Sequence, residues 1–256
     1  MDSYTSKNSN NCYLSCDNID DAIRSLATFY KVKEELIIEV YQQNWPDFLG
    51  PGILNSEFTH EHFNWLMHKH VGAKNEMCCV FPAAYYHRSL YDGKPSWFDN
   101  GLLNSLDGSQ AFLDKLYPHI SNKKNFDFIA ERTRENILTR TCNEGFNGGG
   151  PHAFDRFDDA RNAQISGLDY SVPEFFLHRT GKCEITNEFI NICKKHLIPV
   201  VVKFVGKPSN AENYISNLWH YLYSRRFQIP LEPLVYTFVG RNESIKSGQI
   251  LELLNL

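Results

Sequence analysis

Apolar residues recur at helical spacing near the start of the chain and again in its last quarter. Asn18 is a suitable N-cap, and Ile23, Leu26 and Tyr30 follow it with helical periodicity. This pattern predicts a helix that begins directly after Asn18. Similar spacing predicts further helices over 34–43, 60–70, 97–103, 109–119, 158–164 and 211–227, and one that is capped by Thr186.

Apolar runs without helical spacing predict the strands. The runs over 77–86 and 198–205 are rich in aromatic and β-branched residues, which are typical of buried strands. Shorter candidates lie over 152–157 and 234–239, and the segment over 245–254 fits either a strand or a helix. Helices and strands do not alternate regularly, so the order predicts an α+β fold rather than repeated βαβ units.

The pattern also divides the chain into three parts. Residues 1–16 are polar and rich in Asn and Ser, which predicts a flexible tail. Residues 17–76 are predicted to form a helical N-terminal region, and residues 77–256 an α+β domain that has the character of a catalytic domain. Three adjacent glycines at 148–150 predict a loop within this domain.

Composition narrows the class of protein. Hydrophobic residues make up 42% of the chain and the formal net charge is -4, which fits a packed core and excludes a basic surface over the whole domain. Seven cysteines, an odd number, predict reduced thiols rather than a disulfide framework. No apolar run approaches the roughly 20 residues that cross a bilayer, and no hydrophobic signal begins the sequence. We therefore expect a cytoplasmic protein without a membrane partner.

A cluster of polar side chains follows the strand predicted over 77–86. His87 can hydrogen-bond a ribose hydroxyl, Arg88 can hold a diphosphate through two hydrogen bonds, and Ser89 comes next. About ten residues later, an amphipathic turn ends in Gly101-Leu102-Leu103. A strand that ends in such groups and is followed by a short helix closed by Gly-Leu-Leu resembles the layout of ADP-ribosyltransferases.

The C-terminal residues carry a second part of this resemblance. Asn242-Glu243 is followed by Ile245, and Gln249-Ile250 precedes Leu253-Leu254. This order resembles the glutamate strand of the diphtheria-toxin-like ADP-ribosyltransferases, which include bacterial toxins and defence effectors. The resemblance implies a split β-sheet core with flanking helices, and NAD as the co-substrate.

The resemblance also implies roles for individual residues. His87 would bind a ribose of NAD, Arg88 would bind the pyrophosphate, and Ser89 and Phe154 would complete the NAD site. Glu243 would stabilise the oxocarbenium-like state that forms when the bond to nicotinamide breaks. ADP-ribose would pass to a macromolecular acceptor, either protein or nucleic acid. If the protein is a toxin or an antiviral defence effector, an antitoxin protein is an expected partner.

Two assignments within this expected site remain open. Tyr170 is the preferred aromatic residue for stacking on nicotinamide, with Phe154 as another candidate. Glu174 lies close to Tyr170 in sequence and could face the same cleft. The segment around Glu188 has the same local similarity as the one around Glu243, so the catalytic glutamate is Glu243, Glu174 or Glu188.

Other residues suggest different chemistry. Cys142 with His152 or His178 could form a Cys/His hydrolase pair. Metal-dependent hydrolase or nuclease chemistry could use the histidines of the predicted helix over 60–70, which are His60, His62, His68 and His70. We expect no metal site, because no HExxH motif is present and no three of these histidines share a helix face. A non-enzymatic protein-interaction module built on the N-terminal helices is the remaining alternative.

Overall fold

The computed structural model describes residues 13–43, 45–46, 59–74, 81–120, 123–142, 149–163, 172–173, 176, 184–230 and 237–256. Its helices are α1 (Ile19–Tyr30), α2 (Glu34–Gln42), α3 (His60–His70), α4 (Ser105–Leu116), α5 (Lys123–Cys142), α6 (Phe157–Asn162), α7 (Glu184–His196) and α8 (Ala211–Phe227). Its strands are β1 (Ala83–Tyr91), β2 (His152–Ala153), β3 (Ile198–Gly206), β4 (Phe238–Val239) and β5 (Ile250–Asn255). Short 3₁₀ helices lie at Pro95–Phe98, Tyr117–His119 and Ser247–Gln249. The predicted mixture of helix and sheet in irregular order is confirmed.

Three antiparallel strands form the main sheet in the order β1-β3-β5. The central strand β3 is fully buried at Val200, Val201 and Val202, where β-branched side chains pack well on a pleated surface. The register places His87 of β1 opposite Val202, and Val202 opposite Leu253 of β5. The sheet therefore fixes the position of His87 against the middle of β3.

A second, two-stranded sheet lies against the first. β2 pairs with β4 in antiparallel orientation. Phe154, which follows β2, exchanges two backbone hydrogen bonds of 2.7 and 3.0 Å with Tyr86 of β1. The segment that begins at Gly150 is thereby held beside the middle of β1.

One hydrophobic core joins the N-terminal helices to the sheet. Trp219 of α8 is fully buried, and its indole N–H donates to the Tyr30 hydroxyl of α1 at 3.1 Å. Ile37 of α2 and Met67 of α3 are buried in the same cluster as Phe204 of β3. The helical region predicted over 17–76 thus shares its core with the domain that follows it.

The N-terminal tail predicted over 1–16 is ordered at its end. Leu14 donates its backbone N–H to Pro82 and accepts one from Ala84, at 2.9 and 2.8 Å. Leu14 and Cys16 are buried in the main core. Residues 13–16 therefore lie beside the start of β1, and the prediction of a flexible tail is wrong for them. Residues 1–12 lie outside the described residues.

A second core lies between α4, α5 and α7. Its buried residues include Phe112, Leu113, Leu116, Phe126, Ile129, Val172, Phe176 and Phe189. Leu90 of β1 belongs to this second core, whereas its neighbour Tyr91 belongs to the main one. Since adjacent strand residues face opposite sides, the end of β1 lies at the boundary between the two cores.

The segment between β1 and α4 differs from the helix predicted over 97–103. A 3₁₀ helix covers only Pro95–Phe98, and the chain turns at Gly101, whose φ is +82°. Leu102 then forms an isolated antiparallel bridge with Ile245. The helix predicted over 109–119 begins earlier, at Ser105, because the Asn104 side chain caps it by accepting from the backbone N–H of Asp107 at 2.9 Å.

The later elements agree more closely with the sequence pattern. α8 has the predicted bounds, and β3 extends the predicted strand by one residue to Gly206. α7 begins at Glu184, so Thr186 lies inside that helix rather than capping it. Of the segment predicted over 245–254, residues from Ile250 onward form β5. None of the helices in the described part of the chain combines the length and apolar content that crossing a membrane requires.

Candidate functional site

A cavity of about 210 Å³ lies where the end of β1 meets α4, at the boundary between the two cores. Its walls come from five segments: the second half of β1, the turn before α4, one face of α4, the start of β2, and residues 172–173. The lining residues are His87, Arg88, Ser89, Leu90, Trp97, Phe98, Asn100, Gly101, Leu102, Leu103, Ser105, Gly108, Ala111, Phe112, Lys115, Gly150, Pro151, His152, Val172 and Pro173. The cavity therefore brings together the two segments that carry the first part of the family resemblance.

One face of α4 forms a wall of this cavity. Ser105, Gly108, Phe112 and Lys115 lie three or four residues apart, which places them on the same side of the helix. A Cβ on Gly108 would contact Leu103, which also lines the cavity. The wall thus offers an apolar surface in its middle and a cationic side chain at its C-terminal end.

His87 is held in a defined protonation state. Its Nδ1 lies 2.7 Å from the backbone oxygen of His152, and because a carbonyl oxygen only accepts, Nδ1 carries the hydrogen. Burial lowers the pKa of His87, while this hydrogen bond opposes the change. The ring is therefore neutral near pH 7, and its Nε2 is a hydrogen-bond acceptor.

Arg88 lines the cavity, and its guanidinium also contacts α6. Its Nη1 donates to the backbone oxygen of Arg161 at 2.5 Å and to that of Ala160 at 3.4 Å. These carbonyls lie at the C-terminal end of α6, where a cation is favoured by the helix dipole. Since neighbouring strand residues point to opposite faces, this guanidinium lies on the other side of β1 from the His87 ring.

The remaining residues of the predicted NAD site do not all line the cavity. Ser89 lines the cavity. Phe154 does not line it, because the ring is 3% exposed and packs with Tyr86, Ala160 and Val201 in a small separate cluster. Tyr170 and Glu174 lie outside the described residues, although Val172 and Pro173 between them contribute to the cavity wall.

Glu243 lies in an exposed turn and is not one of the residues that line the cavity. The turn has a hydrogen bond of 2.8 Å from the Glu243 N–H to the Gly240 oxygen. Arg241 and Asn242 inside it have φ of 46° and 68°, a left-handed conformation that is costly for Arg and better tolerated by Asn. The pair Asn242-Glu243 thus forms a tight turn rather than the start of a strand.

This turn is attached to the wall of the cavity. Leu102 and Ile245 exchange two backbone hydrogen bonds, both of 2.8 Å, and the Asn104 N–H donates to the Ser244 hydroxyl at 2.8 Å. A Cβ on Gly101 would lie 1.9 Å from the Ile245 oxygen, so only glycine allows this approach. The Gly-Leu-Leu segment and the segment that carries Glu243 are therefore joined directly.

The other glutamate candidate lies elsewhere. Glu188 of α7 accepts a hydrogen bond from the Asn125 side chain of α5 at 2.9 Å. Neither residue lines the cavity. The structure thus separates Glu188 from His87, whereas Ser244 and Ile245, which follow Glu243, contact the cavity wall at Asn104 and Leu102.

The histidines of α3 do not converge. The His68 ring packs against Tyr30, with centroids 6.0 Å apart, and the His62 ring packs against Trp65, with centroids 5.8 Å apart. Within the described ranges, no three His, Cys, Asp or Glu side chains are arranged to hold a metal ion. Of the alternative Cys/His pair, His152 lines the cavity, whereas His178 lies outside the described residues and the structure does not describe the Cys142 side chain.

Several lining residues have no counterpart among the predicted ones. Trp97, Phe98, Phe112 and Lys115 form much of the apolar and cationic wall. The sequence signal that could have indicated them is the small residues Gly108 and Ala111 on one face of the helix whose last turn contains Lys115. Small residues on a helix face leave room for a ligand as well as for a neighbouring element, so the signal is not specific.

Comparison with known proteins gives no relative for this chain. No family model, no curated protein and no solved structure matches it.

Proposed function

We propose that the protein is an ADP-ribosyltransferase-like enzyme that cleaves NAD and transfers ADP-ribose to a macromolecular acceptor. One observation carries the proposal: the wall of the cavity that contains His87 is hydrogen-bonded, through Leu102 and Ile245, to the turn that presents Glu243. These segments are distant in sequence and are the ones that resemble the family. Their direct attachment supports a shared site.

The proposed reaction breaks the bond between C1′ of the ribose and the nicotinamide nitrogen. The bonding electron pair leaves with nicotinamide, and positive charge develops on the ribose as an oxocarbenium-like state. A nucleophilic atom of the acceptor then bonds to C1′ and loses its proton. A carboxylate close to the ribose lowers the energy of this state, and Glu243 is the proposed source of that charge.

His87 suits the binding of a ribose. The neutral ring presents Nε2 as an acceptor for a hydroxyl, while the hydrogen bond from Nδ1 to His152 fixes the tautomer and the ring orientation. A neutral histidine also adds no positive charge beside a developing cation. This is the chemical reason for favouring a ribose-binding role over acid catalysis.

The rest of the cavity fits a flat aromatic group. Trp97, Phe98 and Phe112 supply aromatic surface, and Ser89 and Asn100 supply polar atoms nearby. A nicotinamide or adenine ring has this combination of flat faces and polar edges. Residues 172–173 also border the cavity, and we propose that the adjoining residues Tyr170 and Glu174 contribute to the same site.

The biological setting is proposed from the family resemblance alone. A bacterial toxin or an antiviral defence effector would modify a protein or a nucleic acid, and a toxin would require an antitoxin protein. The net charge of -4 favours a protein acceptor over a nucleic acid held by a broad basic surface.

The test is nicotinamide release and label transfer from radiolabelled NAD, with cell lysate as the source of acceptor. Wild-type protein is expected to release nicotinamide, and Glu243→Gln to release it about 10²–10³ times more slowly, because one charge-stabilising group is lost. Glu61→Gln on α3 is the matched control and is expected to retain full activity.

If Glu243→Gln is as active as wild type, the catalytic carboxylate is not Glu243 and Glu174 becomes the candidate. If wild type releases no nicotinamide, the proposed function is wrong.

A further inference from the structure

Arg88, the cation that the sequence predicted for this site, lines the cavity, but its guanidinium is held by α6. It donates to the backbone oxygens of Ala160 and Arg161. Moving it to a ligand would remove a cation from the C-terminal end of α6 and leave those carbonyls without this donor. Arg88 is therefore already engaged with the C-terminal end of α6.

A different cation borders the cavity. Lys115, in the last turn of α4, lines it beside Trp97 and Phe112. Its Nζ donates to the Trp97 backbone oxygen and lies 4.4 Å from the centroid of the Trp97 ring. Lys115 and Trp97 thus lie on the same wall, and the contacts with Trp97 fix the position of the Lys115 ammonium group.

Lys115 has no carboxylate partner of its own. Asp92 and Asp99 are the acidic side chains that act on its charge, but neither lies within 4.0 Å of Nζ, and Lys115 forms no ion pair within the described ranges. Partial burial lowers the pKa of Lys115, and the two aspartates oppose that effect. An ammonium group beside a cavity and without a counter-ion is stabilised when an anion binds there.

We propose that Lys115 is the anion-binding residue of this cavity and that it binds a phosphate group of the ligand. The aromatic rings of Trp97 and Phe112 on the same wall as the lysine support a ligand that is both aromatic and anionic. The identification of this phosphate as the diphosphate of NAD rests on the proposed function. The anion site itself does not rest on it.

The experiment is isothermal titration calorimetry with three probes: ADP-ribose, inorganic pyrophosphate and adenosine. The variants are Lys115→Met, which removes the charge, Lys115→Arg, which retains it, and Lys195→Met on α7 as the control for loss of a surface charge. A hydrogen bond to a charged group accounts for about a tenfold to hundredfold change in affinity. Lys115→Met is expected to weaken binding of ADP-ribose and pyrophosphate by this factor and to leave adenosine binding unchanged.

The controls separate the outcomes. Lys115→Arg is expected to keep most of the anion affinity, and Lys195→Met all of it. Binding of pyrophosphate that depends on Lys115, without any binding of ADP-ribose, would support the anion site and refute the assignment to NAD. Equal anion affinity in wild type and Lys115→Met, an equal loss for adenosine, or no anion binding to wild type would each overturn the proposal.

Discussion

Burial in the protein interior disfavours the charged form of an ionisable side chain, and Asp155 shows this effect. Asp155, which follows the β2 segment, is 1% exposed, and its Oδ2 accepts a hydrogen bond from the Asn217 side chain of α8 at 2.7 Å. The other oxygen of this carboxyl group has no hydrogen-bond partner within the described ranges. Burial raises the pKa of Asp155 to about 6, against the effect of the Asn217 hydrogen bond. The ionised form is therefore disfavoured in the folded state.

This pKa has a definite consequence for stability. Because the folded pKa of about 6 exceeds the unfolded value of 3.8, the folded state binds the proton more tightly, and stability falls as the pH rises between these values. Asp155→Asn removes the charge and keeps an oxygen that accepts from Asn217. Relative to wild type, this variant is expected to gain about 2 kcal/mol of unfolding free energy between pH 4.5 and pH 7. Urea denaturation at the two pH values measures the difference, and a difference independent of pH would refute the assignment.

At the scale of elements, local patterns determine some features and distant contacts determine others. β3 is predictable from its run of β-branched residues, and α8 from 17 residues that include no Gly or Pro. The mixed polar sequence over 123–136 predicts no element, yet the segment lies in α5, whose Phe126 and Ile129 are buried in the second core. Its helical conformation thus depends on packing against α4 and α7.

The candidate site is predictable only in part, for the same reason. The motif at His87 to Ser89 can be found locally, and so can Gly101-Leu102-Leu103. The contact between Asn104 and Ser244 spans 140 residues, and no local pattern indicates it. The roles of Arg88 and Lys115 depend on which side of β1 and which face of α4 meets the cavity, which only the assembled fold decides.

The face of α4 offers a test at this scale. Gly108 lies in the helix, and a Cβ added there would be 3.4 Å from the Leu103 oxygen, an ordinary contact. Gly108→Ala is therefore expected to increase stability by about 1 kcal/mol, because glycine is the poorer helix former. The added methyl group narrows the cavity, so binding of ADP-ribose is expected to weaken. Thermal unfolding and calorimetry measure the two effects, and a stabilised variant with unchanged ligand affinity would show that α4 does not form a wall of the binding site.

At the scale of the whole molecule, the site lies between two hydrophobic cores. The main core holds the sheet, α8 and the N-terminal helices, and the second core holds α4, α5 and α7. The end of β1 contributes to both, and the segment after β4 closes the arrangement through Leu102 and Ile245. A cavity at such a boundary receives side chains from segments that are distant in sequence. This arrangement is the basis of the proposal that His87 and Glu243 act on one ligand.

The most direct test of this account is a double-mutant cycle on nicotinamide release, with His87→Ala, Glu243→Gln and the double variant compared by kcat/KM. If both residues act on one NAD molecule in one site, their effects are not additive, and the double variant is expected to lose less than the product of the two single losses. Additive effects, or full activity in either single variant, would contradict the proposal that His87 and Glu243 belong to one active site.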